Sequence, residues 1–261
     1  MSWLHELRND QHDGRKRLAA LLDPDDLPTG RDWTRFVDGL NASPITDIFV
    51  GGSLLTARNV KDVLHSLRAH YEGRITLFPG SPEQVTPGAD AILLLSLISG
   101  RNADLLIGRH VESCMRIREM GMDIVPTGYM LIGDGPLTTA AYMSNCLPIP
   151  SAKKEIAVAT AVAGEMLGLG ALFMDAGSGA QQRVSPSTIQ AVRDAVRCPL
   201  IVGGGIGDAA SIRAAWHAGA DLVVVGQAIE HRPFQLDWLP HPEVFSAHAN
   251  PAEEQLYPNG D

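Results

Sequence analysis

The chain has 261 residues, 45% of them hydrophobic, and a formal net charge of −9 at pH 7. This length and apolar content suit one α/β barrel with a large core. The acidic balance argues against a nucleic-acid partner, which would need basic patches, but allows a small anionic ligand bound by backbone amides. Three cysteines without CxxC spacing fit a reducing cytoplasm and do not indicate zinc. We expect a cytoplasmic protein, because the N-terminus lacks a signal peptide and the longest apolar run is about half a membrane span.

Short apolar segments recur along the chain, and amphipathic helical patterns follow most of them. Continuous apolar runs are typical of parallel strands that are buried on both faces. The predicted strands are 18–23, 47–53, 74–80, 91–96, 123–132, 170–177, 198–205 and 221–228. The predicted helices are 32–40, 58–70, 102–120, 154–167, 185–196 and 208–218. The pattern predicts an α/β fold, a single (β/α)8 TIM barrel over residues 1–230, with an irregular C-terminal extension over 231–261. A doubly wound sheet is the alternative.

The connection between the third and fourth strands interrupts this pattern. It consists of SPEQVTPGAD, residues 81–90, with two prolines and a glycine. A crossover helix usually needs a dozen or more residues. We therefore predict that the barrel lacks a regular third outer helix. The gap is either a trimmed loop or an opening through which a long apolar ligand leaves the barrel mouth.

Glycines follow the last two predicted strands, in VGGGIGDAAS and VVGQAIE. In a TIM barrel, the loops after strands seven and eight favour phosphate groups. Gly204 and Gly205 allow close backbone approach, Gly226 and Gln227 would face them from strand eight, and the helix that opens at Asp208 offers an N-terminal anion site. The alternative is that these glycines only permit tight strand-to-helix turns.

The segment FMDAGSGA, residues 173–180, places one carboxylate at the end of the sixth predicted strand. Gly177, Ser178 and Gly179 follow it directly. One interpretation is a tight turn with a solvated aspartate. The other is a site in which Asp175 accepts a proton and the backbone after it binds a phosphate.

A second group of acids ends the first predicted strand, in LDPDD at 22–26. Asp23 would lie at the barrel mouth, with Asp25 and Asp26 just beyond it. Carboxylates that face an anionic ligand need a hard cation between them, and Mg²⁺ prefers such oxygen ligands. Ser53, at the end of VGGS, would add a hydroxyl on the next strand. The alternative is an Asp-Pro turn with solvated acids.

Several motifs, taken in order and spacing, resemble the geranylgeranylglyceryl phosphate synthase family of PcrB-like prenyltransferase barrels. They are LDPD, VGGS, PTGYMLI, CLPIPSAKKEIAVATAVAGEMLG, MDAGSGA, VGGGI and VVVGQAIE. The resemblance extends from about residue 18 to about residue 230. The AYMSNCLPIP segment is similar to the branch of the family that some archaea and Bacteroidetes share.

The resemblance implies a Mg²⁺-dependent prenyltransferase, expected to be a homo-oligomer, that makes an ether lipid precursor. Its substrates would be sn-glycerol 1-phosphate, which reacts through its C3 hydroxyl, and a polyprenyl diphosphate, with geranylgeranyl diphosphate as the expected donor. Asp23 and Ser53 match the family's magnesium positions. The positions that match its glycerol-phosphate site are Phe173, Met174, Asp175, Ala176, Gly177, Ser178, Gly179, Gly204, Gly205, Gly226 and Gln227.

Four positions near the predicted phosphate site depart from the family pattern. Phe173 and Asp175 replace the tyrosine and glutamate of YLEAGSG, and Gln227 replaces the asparagine of VGN. Gly207 replaces the arginine of VGGGIR, which removes a cation that would help to hold an anion. Three alternatives therefore stay open: another phosphorylated acceptor such as 3-phosphoglycerate, a different phosphate-binding TIM-barrel enzyme, or a binding protein that has lost catalysis.

Overall fold

The computed structural model describes residues 2–245, which form a closed barrel of eight parallel strands. The strands are β1 (Arg17–Leu22), β2 (Asp47–Val50), β3 (Arg74–Leu77), β4 (Ala91–Leu97), β5 (Asp123–Leu131), β6 (Ala171–Asp175), β7 (Leu200–Gly203) and β8 (Leu222–Val225). The helices are α1 (Trp3–His12), α2 (Arg31–Ala42), α3 (Val60–Arg68), α4 (Arg109–Met120), α5 (Thr139–Ser144), α6 (Lys154–Met166), α7 (Pro186–Ala195), α8 (Ala209–His217) and α9 (Gln227–His231).

This arrangement confirms the predicted (β/α)8 TIM barrel. Each strand pairs in parallel with the next one along the chain, and β8 closes the barrel on β1. The predicted domain boundary at residue 230 stays a prediction. Of the predicted extension, residues 246–261 lie outside the described part of the chain.

Seven of the eight strands end earlier at the barrel mouth than the apolar pattern predicts, and β4 ends one residue later. The backbone of Gly51, Gly177 and Gly204 has φ angles of 152°, 92° and 79°, which side chains other than glycine rarely allow. Each of these glycines turns the chain away from the strand ladder. The loops that follow β2, β6 and β7 therefore fold over the open end of the barrel.

The core has two layers because each strand buries both of its faces. Inward-facing side chains such as Phe49, Leu93 and Phe173 fill the barrel itself. Outward-facing ones such as Leu172 and Met174 pack against the surrounding helices. The continuous apolar runs in the sequence are the direct result of this arrangement.

Helix α1 closes the end of the barrel opposite the mouth, and the sequence pattern did not predict it. Trp3 and Leu7 are buried and pack in the same core as Phe49. The Trp3 ring meets Phe49 edge to face, with 5.8 Å between ring centroids. Its Nε1 donates a hydrogen bond to Oδ1 of Asp47 at 2.9 Å. One tryptophan thus joins α1 to the first residue of β2.

Replacing Trp3 by alanine should destabilise the fold without altering the barrel mouth. The substitution leaves a cavity under the barrel and removes the hydrogen bond to Asp47, so the free energy of unfolding should fall by about 3–5 kcal/mol. Urea unfolding measures this loss, and Trp3→Phe, which keeps an aromatic ring, should lose less. Equal stability of wild type and Trp3→Ala would show that α1 does not support the barrel.

Charged side chains also gather at this closed end of the barrel. Arg17 Nη1 lies 3.3 Å from Oδ2 of the fully buried Asp47. The buried carboxylate of Asp221 forms ion pairs with Nη1 of Arg193 at 2.9 Å and with Nζ of Lys16 at 3.4 Å. Breaking one buried pair leaves the partner charge without compensation, which is strongly destabilising. Loss of any one member of this charge network should therefore destabilise the fold.

The connection between β3 and β4 contains no α-helix, as predicted. Its only helical element is a short 3₁₀ turn, Pro82–Gln84. The buried side chain of Gln84 links two loops there: Nε2 donates to the carbonyl of Gly52 at 2.7 Å, and Oε1 accepts from the amide of Gly80 at 3.1 Å. One glutamine amide holds together a wall that a crossover helix covers elsewhere in the barrel.

Within residues 2–245, no helix is both long and apolar enough to span a membrane. Apolar side chains are nevertheless exposed along and just before α4, at Ile107, Val111 and Met115. Neighbouring exposed apolar residues often mark protein contacts. They are compatible with the expected homo-oligomer, which stays a prediction.

Candidate active site

A cavity of about 310 Å³ lies at the barrel mouth, where the carboxyl ends of the strands meet. The predicted site residues that line it are Asp23, Ser53, Phe173, Asp175, Gly177, Ser178, Gly179, Gly204, Gly205, Gly226 and Gln227. Met174 and Ala176 belong to the outer core layer and do not line the cavity. The structure therefore brings together all but two of the residues that the sequence singled out.

Asp175 ends β6 at the floor of this cavity and is only 7% exposed. Its Oδ2 accepts a hydrogen bond from the hydroxyl of Tyr129, and its Oδ1 accepts from the amide of Gly177 at 2.8 Å. A Cβ at position 204 would overlap Oδ1, so Gly204 must be a glycine for the β7 loop to pass over the carboxylate. Asp175 is therefore a buried, oriented acid, and the interpretation as a solvated turn is wrong.

Burial raises the pKa of the Asp175 carboxyl above its ordinary value, while the hydrogen bonds from Tyr129 and Gly177 act in the opposite direction. The pKa of Tyr129 is well above its ordinary value, because its phenol is also buried and lies against Asp175. Tyr129 thus stays protonated at neutral pH and donates to the carboxylate. A buried carboxylate with a raised pKa is a better proton acceptor than a solvated one.

Replacing Tyr129 by phenylalanine should move the acid limb of the pH–rate profile to higher pH. The substitution removes a hydrogen bond that favours ionised Asp175, so the pKa of this carboxyl rises further. A base must be deprotonated to act, and activity is therefore lost at a higher pH as the solution is acidified. The profile of kcat/KM measures the shift. An acid limb that stays in place would separate Tyr129 from the titration of Asp175.

Four of the described residues that line the cavity have unpaired backbone amides. The amides of Ser178, Gly179, Gly204 and Gly205 have no hydrogen-bond acceptor among the described residues. Such a concave set of free N–H groups suits an anion. The N-terminus of α8 does not contribute as predicted, because the Asp208 carboxylate caps it by accepting from the Ser211 amide at 2.7 Å.

The three acids after β1 have separate roles. Asp25 accepts hydrogen bonds from the amides of Thr56 and Arg58, at 2.6 and 2.8 Å, and so fixes the loop before α3. Asp26 is exposed and does not line the cavity. Only Asp23 faces the cavity, so the interpretation as a solvated turn applies to Asp26 but not to Asp23.

Asp23 lies beside a second carboxylate that the sequence did not single out. Glu230 Oε1 accepts from the Asp23 amide at 3.4 Å and lines the same cavity. Burial is the main reason why the pKa of Asp23 rises to about 6 and that of Glu230 to about 7, and nearby Asp26 raises both. Neither carboxylate has a lysine or arginine within 4.0 Å among the described residues. A bound cation would relieve this local excess of negative charge.

The mouth also fits Mg²⁺ by the type of its ligands. No group of three or more His, Cys, Asp or Glu residues between positions 2 and 245 forms a complete metal cage. Mg²⁺ usually needs only one or two protein oxygen ligands and completes its shell with water and substrate phosphates. Asp23 supplies a carboxylate and Ser53 a hydroxyl, and both line the cavity. The donor set is therefore suitable for magnesium held jointly with a phosphorylated substrate.

A larger cavity of about 590 Å³ extends from the mouth along the side where the outer helix is absent. Its lining is mostly apolar and includes Phe78, Leu93, Leu95, Leu97, Leu105, Ile117 and Met143. Gly52, Ser53, Phe78, Tyr129 and Ala140 line both cavities. The polar mouth and the apolar side cavity therefore meet around Ser53 and Tyr129.

Sequence reasoning missed four polar residues of the mouth: Tyr129, Glu230, His231 and Arg232. Tyr129 stood inside a predicted strand whose inward and outward faces both looked apolar. Glu230 and Arg232 follow the last strand, at the predicted domain boundary. A tyrosine within an apolar strand of a barrel, three residues after a proline, was the only available signal for the first of them.

The chain is similar to known proteins over most of its length. The model of the PcrB family matches residues 14–239. Proteins named geranylgeranylglyceryl phosphate synthase from Spirosoma linguale and Pyrococcus furiosus are 45% and 35% identical, over 87% and 83% of this chain and 91% and 86% of theirs. The crystal structure of (S)-3-O-geranylgeranylglyceryl phosphate synthase from Thermoplasma acidophilum, in complex with sn-glycerol-1-phosphate, superposes with a TM-score of 0.84 at 27% identity, covering 92% of this chain and 96% of that one. The chain therefore belongs to the PcrB family, and it is similar over most of its length to proteins named geranylgeranylglyceryl phosphate synthase.

Proposed function

We propose that the protein transfers a polyprenyl group, with geranylgeranyl diphosphate as the donor, to the C3 hydroxyl of sn-glycerol 1-phosphate. The observation that carries this proposal is the junction of two cavities of opposite character at Ser53 and Tyr129. The polar mouth cavity suits the acceptor, and the apolar side cavity suits the prenyl tail. The named relatives and the Thermoplasma complex with sn-glycerol-1-phosphate support the same reaction.

Asp175 acts on the acceptor. The phosphate binds to the free amides of the β6 and β7 loops, which directs the C3 hydroxyl toward the carboxylate at the cavity floor. As the oxygen attacks C1 of the prenyl group, its proton passes to Asp175. The bond between C1 and the diphosphate oxygen breaks, a C1–O ether bond forms, and diphosphate leaves. Tyr129 holds the carboxylate in place through its hydrogen bond.

Asp23 and Ser53 serve the leaving group. They would hold Mg²⁺ beside the diphosphate, and the bound cation would neutralise the negative charge on the departing oxygens. Without a cation, the carboxylates of Asp23 and Glu230 would repel the diphosphate. Ser53 lines both cavities, so a cation held there would lie at the boundary between the head group and the tail.

The side cavity binds the tail through its apolar lining. Each methylene that is removed from water contributes about 0.8 kcal/mol. The cavity is accessible because the wall between β3 and β4 has only a 3₁₀ turn in place of a helix. The absence of the third outer helix thus leaves room for the long apolar tail of the donor.

The carboxylates around the mouth disfavour an acceptor that carries an extra negative charge. Asp23, Asp175 and Glu230 all line the cavity. These groups would repel the carboxylate of an acceptor such as 3-phosphoglycerate. Glycerol phosphate has a neutral hydroxyl in place of that carboxylate and would not be repelled in this way. The charge of the site therefore favours glycerol phosphate over 3-phosphoglycerate.

The test is product formation by the purified protein with Mg²⁺, geranylgeranyl diphosphate and sn-glycerol 1-phosphate. Parallel reactions contain sn-glycerol 3-phosphate or 3-phosphoglycerate, and mass spectrometry identifies the ether product. We expect product with the 1-phosphate and little or none with the other two. Preferential use of either alternative acceptor, or no product with any of them, would refute the proposed reaction.

A further inference from the structure

Arg232 directly follows α9, and its side chain lines the mouth cavity. Its Nη2 donates to the carbonyl of Gly207 at 2.7 Å. Its guanidinium also lies over the Trp238 ring, with 4.5 Å to the ring centroid. These contacts hold the side chain on two sides, and Arg232 lines the cavity between the β7 and β8 loops. Its position is therefore fixed by the fold before any ligand binds.

The guanidinium retains donors that the protein does not use. Arginine carries five N–H groups in a planar fork, and the protein acceptor for this one is the Gly207 carbonyl. No carboxylate among residues 2–245 lies within 4.0 Å of it. An arginine that is fixed in position, without an ion-pair partner and at the edge of a cavity, is well suited to bind an anion.

The charge balance of the cavity gives this arginine particular weight. Of the described residues that line the cavity, Asp23, Asp175 and Glu230 are carboxylic acids, and Arg232 is the only lysine or arginine. The free amides of the β6 and β7 loops provide hydrogen bonds but no net charge. His231 also lines the cavity, but Arg232 is the one side chain with a permanent positive charge among the described residues that line it, and it can therefore compensate the charge of a dianionic phosphate there.

Gly207 explains how the arginine reaches this position. A Cβ at residue 207 would have no neighbour closer than the Cβ of Ala228, 4.0 Å away, so the space beside the β7 loop is open. The side chain of Arg232 enters from the β8 side and hydrogen bonds to the backbone of Gly207. The sequence suggested that Gly207 leaves the site without a cation, but the structure brings another cation to the same loop.

We propose that Arg232 binds the phosphate group of the acceptor and is the residue that compensates its charge. This inference rests on the proposed function for the identity of the acceptor. The guanidinium donates two hydrogen bonds to phosphate oxygens, while the amides of Ser178, Gly179, Gly204 and Gly205 bind the remaining ones. Arg232 acts on the acceptor and not on the diphosphate of the donor, because it lies on the β7–β8 side of the mouth.

Calorimetric titration with sn-glycerol 1-phosphate tests the proposal without any need for turnover. We expect Arg232→Met to raise the dissociation constant about 10–100-fold, since it removes hydrogen bonds between charged groups. Arg232→Lys keeps the charge but loses the planar fork, so its loss should be smaller. In steady-state kinetics, the KM for the acceptor should rise while the KM for geranylgeranyl diphosphate changes by less than about threefold.

The matched control is Arg35→Met. Arg35 stacks on Phe234 at 4.7 Å but does not line either cavity, so this variant should bind the acceptor as the wild type does.

Binding by Arg232→Met within twofold of wild type would overturn the proposal. An equal loss of affinity for both substrates, together with a lower melting temperature, would overturn it as well. If wild type binds the acceptor but forms no ether product, while Arg232→Met no longer binds it, the proposed reaction fails and the phosphate role of Arg232 stands. A wild type that binds neither sn-glycerol 1-phosphate nor inorganic phosphate refutes that role.

Discussion

Replacing Asp175 by asparagine should reduce kcat by about 10²–10⁴-fold and leave the affinity for the acceptor nearly unchanged. Asparagine preserves the shape of the side chain and still accepts from the Gly177 amide, but it cannot take the proton of the attacking hydroxyl. Single-turnover kinetics with saturating substrates measures the chemical step directly. Calorimetry with sn-glycerol 1-phosphate reports on acceptor binding in the same variant.

The stability of Asp175→Asn provides an internal control. A carboxyl with a raised pKa in the folded state favours folding below its ordinary pKa, and this contribution is lost as the pH rises through the folded pKa. At neutral pH, removal of the charge should therefore not lower the melting temperature. Asp175→Glu, which keeps a carboxylate one methylene longer, should retain more activity than the asparagine variant. Turnover of Asp175→Asn within twofold of wild type would eliminate Asp175 as the base.

The second large effect is expected for Asp23→Asn, which should lower Mg²⁺-dependent turnover by more than about 10²-fold. The amide can still accept from the Asp25 backbone, so the turn after β1 should persist. Because burial raises the pKa of Asp23 to about 6, its charge opposes folding above that pH. The melting temperature of the variant at pH 8 should therefore equal or exceed that of wild type.

Asp26→Asn is the matched control for Asp23, since it removes one negative charge three residues further along the chain. Asp26 is exposed and does not line the cavity, so this variant should respond to Mg²⁺ as wild type does. The measurement is turnover against Mg²⁺ concentration for all three proteins. The magnesium assignment would be abandoned if Asp23→Asn retained the wild-type response, or if both variants lost activity equally.

The barrel could be predicted from the sequence because strands buried on both faces give continuous apolar runs. Local capping residues, such as Ser185 before α7 and Gly121 after α4, also fix the ends of the helices that lie between the strands. Helix α1 could not be predicted, because WLHELRNDQH has few apolar residues and only Trp3 and Leu7 are buried. Their role depends on the barrel that they close, and local periodicity does not contain that information.

The candidate site was predictable where backbone conformation dictates the residue type. The glycines after β6 and β7 are required by positive φ angles and by close approach to Asp175. Arg232 was not predictable in this way, because a single arginine beyond the last strand has no local signature. It acquires a function only when Gly207 and Trp238 hold it over the mouth.

The position of Trp3, at the far end of the barrel from Asp175, has a consequence for how this protein tolerates change. The free-energy effects of substitutions at distant sites without shared partners are usually additive. A substitution that strengthens the packing of α1 can therefore offset the loss of stability caused by a new side chain at the mouth. Stability gained at the closed end can thus compensate for stability lost at the open end. Acceptor preference can then be redesigned at the mouth while the free energy of unfolding stays positive.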